Sequence, residues 1–309
     1  MGENMLEIND LINMFEYAFF QRAFIGGLFA AALCSLLGVF IVLRRAALIG
    51  EGVAHLSFGG IALGLFMSVY PLDTALLMSL VGIFAISYMQ RKKIVYSEMA
   101  IGIMIAFGLG LGSVLASLSG GFSVDLFSYL FGSILTISNS DLTLIVGLSL
   151  AVLAFVLLFF KELMHMTFDE QGARLSGIPV FWLDLAFNVV LAFTVVVSIK
   201  IVGSLLVSAL IIIPASSAMQ LSRSFRGTVA ISVVLGAMAV VAGLVASFVY
   251  DVATGGAIVL CSIGIFLLCI LFKKIQGKEE GAPEYENAKQ GDLIRIESEA
   301  PTADAKDRP

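Results

Sequence analysis

Long apolar runs fenced by short basic clusters constrain this chain more than anything else in it. The first runs from about Phe24 to Leu43 and stops at Arg44-Arg45, and a second, about Ala46 to Met67, follows with almost no link. A third, about Thr74 to Met89, stops at Arg91-Lys92-Lys93. Crossing the hydrocarbon of a bilayer takes about 20 mostly apolar residues per helix, and basic clusters collect on the cytoplasmic side. The pattern therefore predicts alternating membrane helices, the first entering from outside. Composition agrees: 13% of the 309 residues are charged, against about 25% in soluble domains.

Further runs follow at about Met99 to Leu118, Asp141 to Phe160, Leu183 to Ile199, Ile201 to Leu221, Thr228 to Tyr250 and Thr254 to Phe272. The chain reads as an all-α polytopic membrane protein with about nine transmembrane helices, within bounds of eight to ten. The stretch Val124 to Ile137 is too short to cross and predicts a re-entrant or interfacial element. Leaving it out of the count keeps Lys161, Arg174, Arg223, Arg226, Lys273 and Lys274 inside, and strands one residue, Lys200, at the outer surface. The series Gly108-x-Gly110-x-Gly112 offers a small-residue surface for close helix approach. Pro214 interrupts the seventh span, where a packed kink and a gate both fit.

Residues 1–14 are expected to lie outside the membrane on the extracytoplasmic face. The first 21 residues hold no Lys or Arg, unlike the basic start of a secretory signal. Residues 15–274 form the expected membrane domain. The tail 277–309 carries five basic and nine acidic residues and few large apolar ones, so it is expected to remain a disordered cytoplasmic extension. With an isoelectric point near 5.1 and no basic patch, nucleic-acid binding is excluded. The three cysteines lie in apolar stretches and read as packing.

A charged side chain inside a span costs at least a few kcal/mol, so it is a functional hypothesis by default. Glu51 and His55 sit four apart in the second span, on one helix face, with His55 about 14 Å in from Ala46. A carboxylate and an imidazole so placed can grip one divalent ion, and an incomplete ligand set suits an ion that must leave again. Two other readings remain open at this point. His55 can hydrogen-bond within the bundle while Glu51 snorkels to the surface, or the pair can relay protons. The polar link between Lys161 and Val180 contains a run, Asp169 to Ser176, that can form a short amphipathic helix ended by Gly177 and Pro179; a solvated loop fits as well. No HExxH, GxSxG or phosphate-loop motif is present, so the chain reads as no enzyme, and any ATP-driven step needs a separate subunit.

Five stretches resemble the membrane permeases of the ABC-3 family, the zinc and manganese importers of bacteria and archaea. They are LGVFIVLRRAALIGEGVAHLSFGGIALG (Leu37 to Gly64), VDLFSYLFGSILTISNSDL (Val124 to Leu142), TFDEQGARLSGIPV (Thr167 to Val180), KIVGSLLVSALIIIPASSA (Lys200 to Ala218) and YDVATGGAIVL (Tyr250 to Leu260), the first and fourth being the most specific. The resemblance implies a type II ABC importer-like permease of the cell membrane. It would work as a homodimer with a cytoplasmic ATPase dimer and an extracytoplasmic metal-binding protein. Family members carry an acid and a histidine four apart in the second span, implicated in metal passage, which fall on Glu51 and His55. The acid is commonly Asp, so Glu51 departs by one methylene. Asp169, Glu170, Ala173 and Gly177 match the element that docks into the ATPase. Asp125 and Asp251 fall at outer ends, where they can meet the binding protein or stand as solvated helix ends. Zinc is the expected cargo, manganese next and iron behind, with no permanently bound cofactor. The alternatives are a proton-coupled secondary transporter and an ABC permease for a metal chelate. The single Pro-broken span counts against the paired broken helices of inverted repeats.

Overall fold

A computed structural model gives the structure of residues 16–121, 124–133 and 137–275. The expected segments 1–14 and 277–309 lie outside the described residues. The chain divides into a unit ending at Cys269 and a second beginning at Ile270, whose described part is the last six residues of the final helix.

The described residues form α1 (Ala18–Leu43), α2 (Ala47–Met67), α3 (Pro71–Arg91), α4 (Ser97–Leu118), α5 (Val124–Phe131) and α6 (Asn139–Leu158). There follow α7 (Phe160–Phe168), α8 (Glu170–Leu175), α9 (Val180–Val202), α10 (Val207–Leu221), α11 (Phe225–Tyr250) and α12 (Thr254–Ile275). Eight of these are long and apolar enough to cross a membrane, and α10 is a shorter apolar helix of 15 residues. The nine expected crossings are thus eight full-length helices and one short one.

A helix that is apolar all round belongs in the interior of a bundle. α1 is such a helix, and it packs against α6, α9, α10 and α11, while α2 lies between α3 and α4. α1 begins six residues before the apolar run because Arg22 is satisfied locally. Its Nε donates to the Ala18 carbonyl at 3.1 Å and its guanidinium reaches Asn139 Oδ1 at 3.3 Å. At the other end of α1, the Phe40 ring meets those of Phe160, Phe187 and Phe225 at 5.2–6.0 Å, largely edge-on. Phe168 adds an edge contact to Phe225 at 5.6 Å. Such aromatic contacts add to plain burial, and they fasten α7 to the membrane helices.

The short stretch expected to be re-entrant contains the eight-residue α5. Its end lies against the break between α9 and α10. Ser204 and Leu205 donate their backbone N–H groups to the carbonyls of Tyr129 (2.9 Å) and Leu130 (3.3 Å), and Ser133 donates to that of Lys200 (3.2 Å). Non-helical backbone within a membrane is tolerated where protein satisfies it. These bonds explain why the break falls at residues 203–206 and not at Lys200.

Lys200 corrects the sequence expectation. It is 7% exposed, and its Nζ donates to Asp141 Oδ2 at 2.6 Å. Asp141, at the start of α6, is also buried and accepts hydrogen bonds from the Ser138 N–H (2.9 Å), the Ser138 hydroxyl (2.7 Å) and the Tyr70 hydroxyl (2.5 Å). One buried ion pair therefore staples α9, α6 and the residue that precedes α3.

Candidate metal site and coupling segment

α2 carries glycines at positions 50, 52, 59, 60 and 64. Each costs helix propensity, up to about 1 kcal/mol, and several allow backbone to approach backbone. A methyl group at Gly108 of α4 would lie 2.4 Å from the His55 carbonyl oxygen, and one at Gly59 would lie 2.8 Å from that of Gly108. On the α3 side, a buried bond of 2.7 Å joins the hydroxyls of Ser57 and Ser79. The turn that presents His55 is thus held from two sides.

His55 lies eight residues into the 21 of α2, about 12 Å along its axis. Its Nε2 is 3.7 Å from Glu51 Oε1, with side chains 13% and 44% exposed respectively. That separation is beyond a good hydrogen bond, and one ion at about 2.1 Å from each atom can bridge it. His55 Nδ1 is buried and has no hydrogen-bond partner among the described residues. Also among them, no three His, Cys, Asp or Glu side chains converge on one point. One chain therefore offers one carboxylate and one imidazole.

Pro214 is buried inside α10 and removes the backbone donor to the Leu210 carbonyl. One turn earlier, the Ile211 side chain reaches to 3.5 Å from where a methyl on Gly50 would stand, beside Glu51. Pro214 is thus one turn from a contact with the candidate site.

The run 169–177 forms a helix with both ends closed. The Asp169 side chain caps α8 by accepting from the Gly172 N–H at 2.8 Å. Gly177, at φ +83°, ends it with bonds from its own N–H to Arg174 O and from the Ile178 N–H to Ala173 O. That left-handed terminator suits glycine. Ala173 is buried, Glu170 pairs with Arg174 at 2.5 Å, and Phe168 and Leu175 are exposed. Asp251 is an exposed residue in left-handed conformation just after α11. Asp125 belongs to α5, and its side chain lies outside the described residues.

Sequence reasoning did not pair Asp141 with Lys200 or Arg44 with Asp184, whose ion pair joins the end of α1 to the beginning of α9. The available signal was opposite charges at the same predicted membrane level.

Residues 16–273 match the model of the ABC 3 transport family. The manganese transport system membrane protein MntC of Halalkalibacterium halodurans is 31% identical over 85% of this chain and 90% of its own length. The high-affinity zinc uptake system membrane protein ZnuB of Haemophilus influenzae is likewise 31% identical, over 84% of this chain and 99% of its own. Among solved structures, PsaBC from Streptococcus pneumoniae in complex with Fab superposes with a TM-score of 0.77 at 31% identity, covering 85% of this chain and 95% of that one. The chain accordingly belongs to the ABC 3 transport family, as a multi-pass permease of the cell membrane that forms the membrane subunit of an ABC transporter and is not itself an enzyme.

Proposed function

We propose that this chain is the permease of an importer that brings a divalent transition metal, zinc or manganese, into the cell past Glu51 and His55. The observation that carries the reading is the imidazole–carboxylate pair on one face of a membrane helix, His55 Nε2 standing 3.7 Å from Glu51 Oε1 and His55 lying in the middle third of the helix. An ion held between Nε2 and the Glu51 carboxylate leaves Nδ1 as the N–H tautomer, facing away from the ion. Relatives named for manganese and for zinc match at equal identity, so likeness does not rank the two. A nitrogen and oxygen ligand set binds zinc more tightly than manganese, which places zinc first.

The working unit is a homodimer, so two Glu51–His55 pairs serve one pathway. A cytoplasmic ATPase dimer grips the capped segment Asp169–Gly177, with Asp169, Glu170, Ala173 and Gly177 setting its shape and the exposed Phe168 and Leu175 giving it an apolar edge. Closure of the ATPases on ATP pushes this segment, and the aromatic contacts of α7 carry the push into α1 and α11, and through Phe40 to Phe187 of α9. Pro214 lets α10 yield beside Glu51 as the pathway opens. An extracytoplasmic metal-binding protein delivers the ion at the outer face, where Asp125 and Asp251 attract it.

The test is uptake of radioactive zinc and manganese into cells lacking their own importers. The cells express this chain with its cognate ATPase and binding protein, or the His55→Ala or Glu51→Asp variant. Import should be abolished by His55→Ala and largely kept by Glu51→Asp, at equal membrane levels of protein. Import that survives His55→Ala would place the pathway elsewhere, and import that needs no ATPase would point to the proton-coupled class.

A further inference from the structure

The last turns of α1 and α3 and the first of α9, ends that the basic clusters place on the cytoplasmic side, border with α7 and α8 an open recess of about 1020 Å³. Four basic and two acidic side chains line it. Arg44 is paired with Asp184, and Arg174 with Glu170. The other two, Arg91 and Lys93, pair with no acidic side chain among the described residues. Arg91 rests on the face of Phe181, 4.8 Å from its centroid, which holds the guanidinium without neutralising it. A recess with two uncompensated cations takes an anion.

Its setting indicates which anion. Above Arg91, the same face of α3 carries Tyr88, Phe84, Val81 and Leu77 at intervals of three or four residues, all exposed. That apolar stripe runs from the membrane interior down to the charge. Trp182, also exposed, stands at the cavity wall, and tryptophan favours the headgroup level of a bilayer. A ligand with a negative head and apolar chains matches both parts, whereas a free anion uses only the head. Basic pockets between helices at the cytoplasmic surface bind anionic headgroups by this logic.

We propose that the cavity binds an anionic phospholipid of the cytoplasmic leaflet, its phosphate between Arg91 and Lys93 and its chains along the α3 stripe. The lipid sits against the wall formed by Phe168, Glu170 and Arg174, and so braces the segment proposed to meet the ATPase.

Trp182 is the single tryptophan of the chain and reports directly on the cavity. The full-length permease is reconstituted in mixtures of phosphatidylcholine and phosphatidylglycerol, one of which carries bromine on its acyl chains, and the quenching of Trp182 fluorescence is measured. Brominated phosphatidylglycerol should quench more strongly than brominated phosphatidylcholine at equal mole fraction. In the Arg91→Gln, Lys93→Gln double variant the preference should fall about fivefold for each charge removed. Quenching by brominated phosphatidylcholine should rise as that lipid takes the vacated place, and an unchanged helical circular dichroism spectrum shows that the variant is folded. Equal quenching by the two lipids in the wild-type chain would overturn the proposal. So would loss of the preference on adding inorganic phosphate at constant ionic strength, which assigns the cavity to a small soluble anion. An undiminished lipid preference in the double variant, with binding of the cognate ATPase lost, would overturn it too and assign the charges to the subunit interface. The readout needs neither metal nor ATP, so it stands or falls apart from the importer reading.

Discussion

Asp141 and Lys200 neutralise each other out of reach of water, and that arrangement sets what each substitution does. Removing one partner leaves the other buried and unpaired, so Asp141→Asn or Lys200→Met should cost about 3–5 kcal/mol. The Asp141→Leu, Lys200→Met pair should recover most of that loss. Thermal unfolding of the detergent-purified protein checks both. Tyr70 belongs to the same network. Burial, and then its hydrogen bond to Asp141, push its phenol above the ordinary tyrosine range. The neutral phenol therefore adds stability that is present below about pH 10 and fades as pH rises past it. Tyr70→Phe should lower the melting temperature at neutral pH and flatten its decline on the alkaline side. The pair Glu51 and His55 was legible in the sequence because four residues on one helix fix their separation. The pairing of Asp141 with Lys200 was not, since the two are 59 positions apart and each alone looks like a charge at a helix end.

At the level of elements, the decisive contact is that of α2 with α4. The glycine series 108, 110, 112 was readable as a surface for close approach, yet residues two apart on a helix point to opposite sides. A methyl group at 108 meets the His55 backbone, one at 112 meets the Phe58 ring at 2.4 Å, and one at 110 meets nothing within 4 Å. Gly108→Ala should therefore cost about 1–3 kcal/mol through overpacking and reduce metal import. Gly110→Ala should leave import intact and stabilise the helix by up to about 1 kcal/mol. Thermal unfolding beside the uptake assay separates the two. The long helices were legible because apolar length alone decides them, whereas α7 falls in the polar link and was not. The break at 203–206 was misplaced because its position is set by hydrogen bonds that its N–H groups donate to carbonyls of α5, about 75 residues earlier in sequence, which no local pattern announces.

For the whole molecule, the order of basic clusters predicts which ends face the cytoplasm, and a labelling experiment tests it. In a chain whose three cysteines are replaced by alanine, Asp251→Cys should react with an impermeant maleimide applied from outside to intact cells. Leu175→Cys, exposed at the end of α8, should react only once the membrane is opened. The same labelling of both in intact cells would overturn the alternation of the nine crossings. Because the α2 backbone at His55 lies against that of Gly108 on α4 and is tied to α3 by the Ser57–Ser79 bond, the helix has no room to slide or roll. At this depth the chain can then be altered only by exchanging the side chains themselves. On the proposed pathway, cargo would then be changed by lengthening or shortening the acid at position 51.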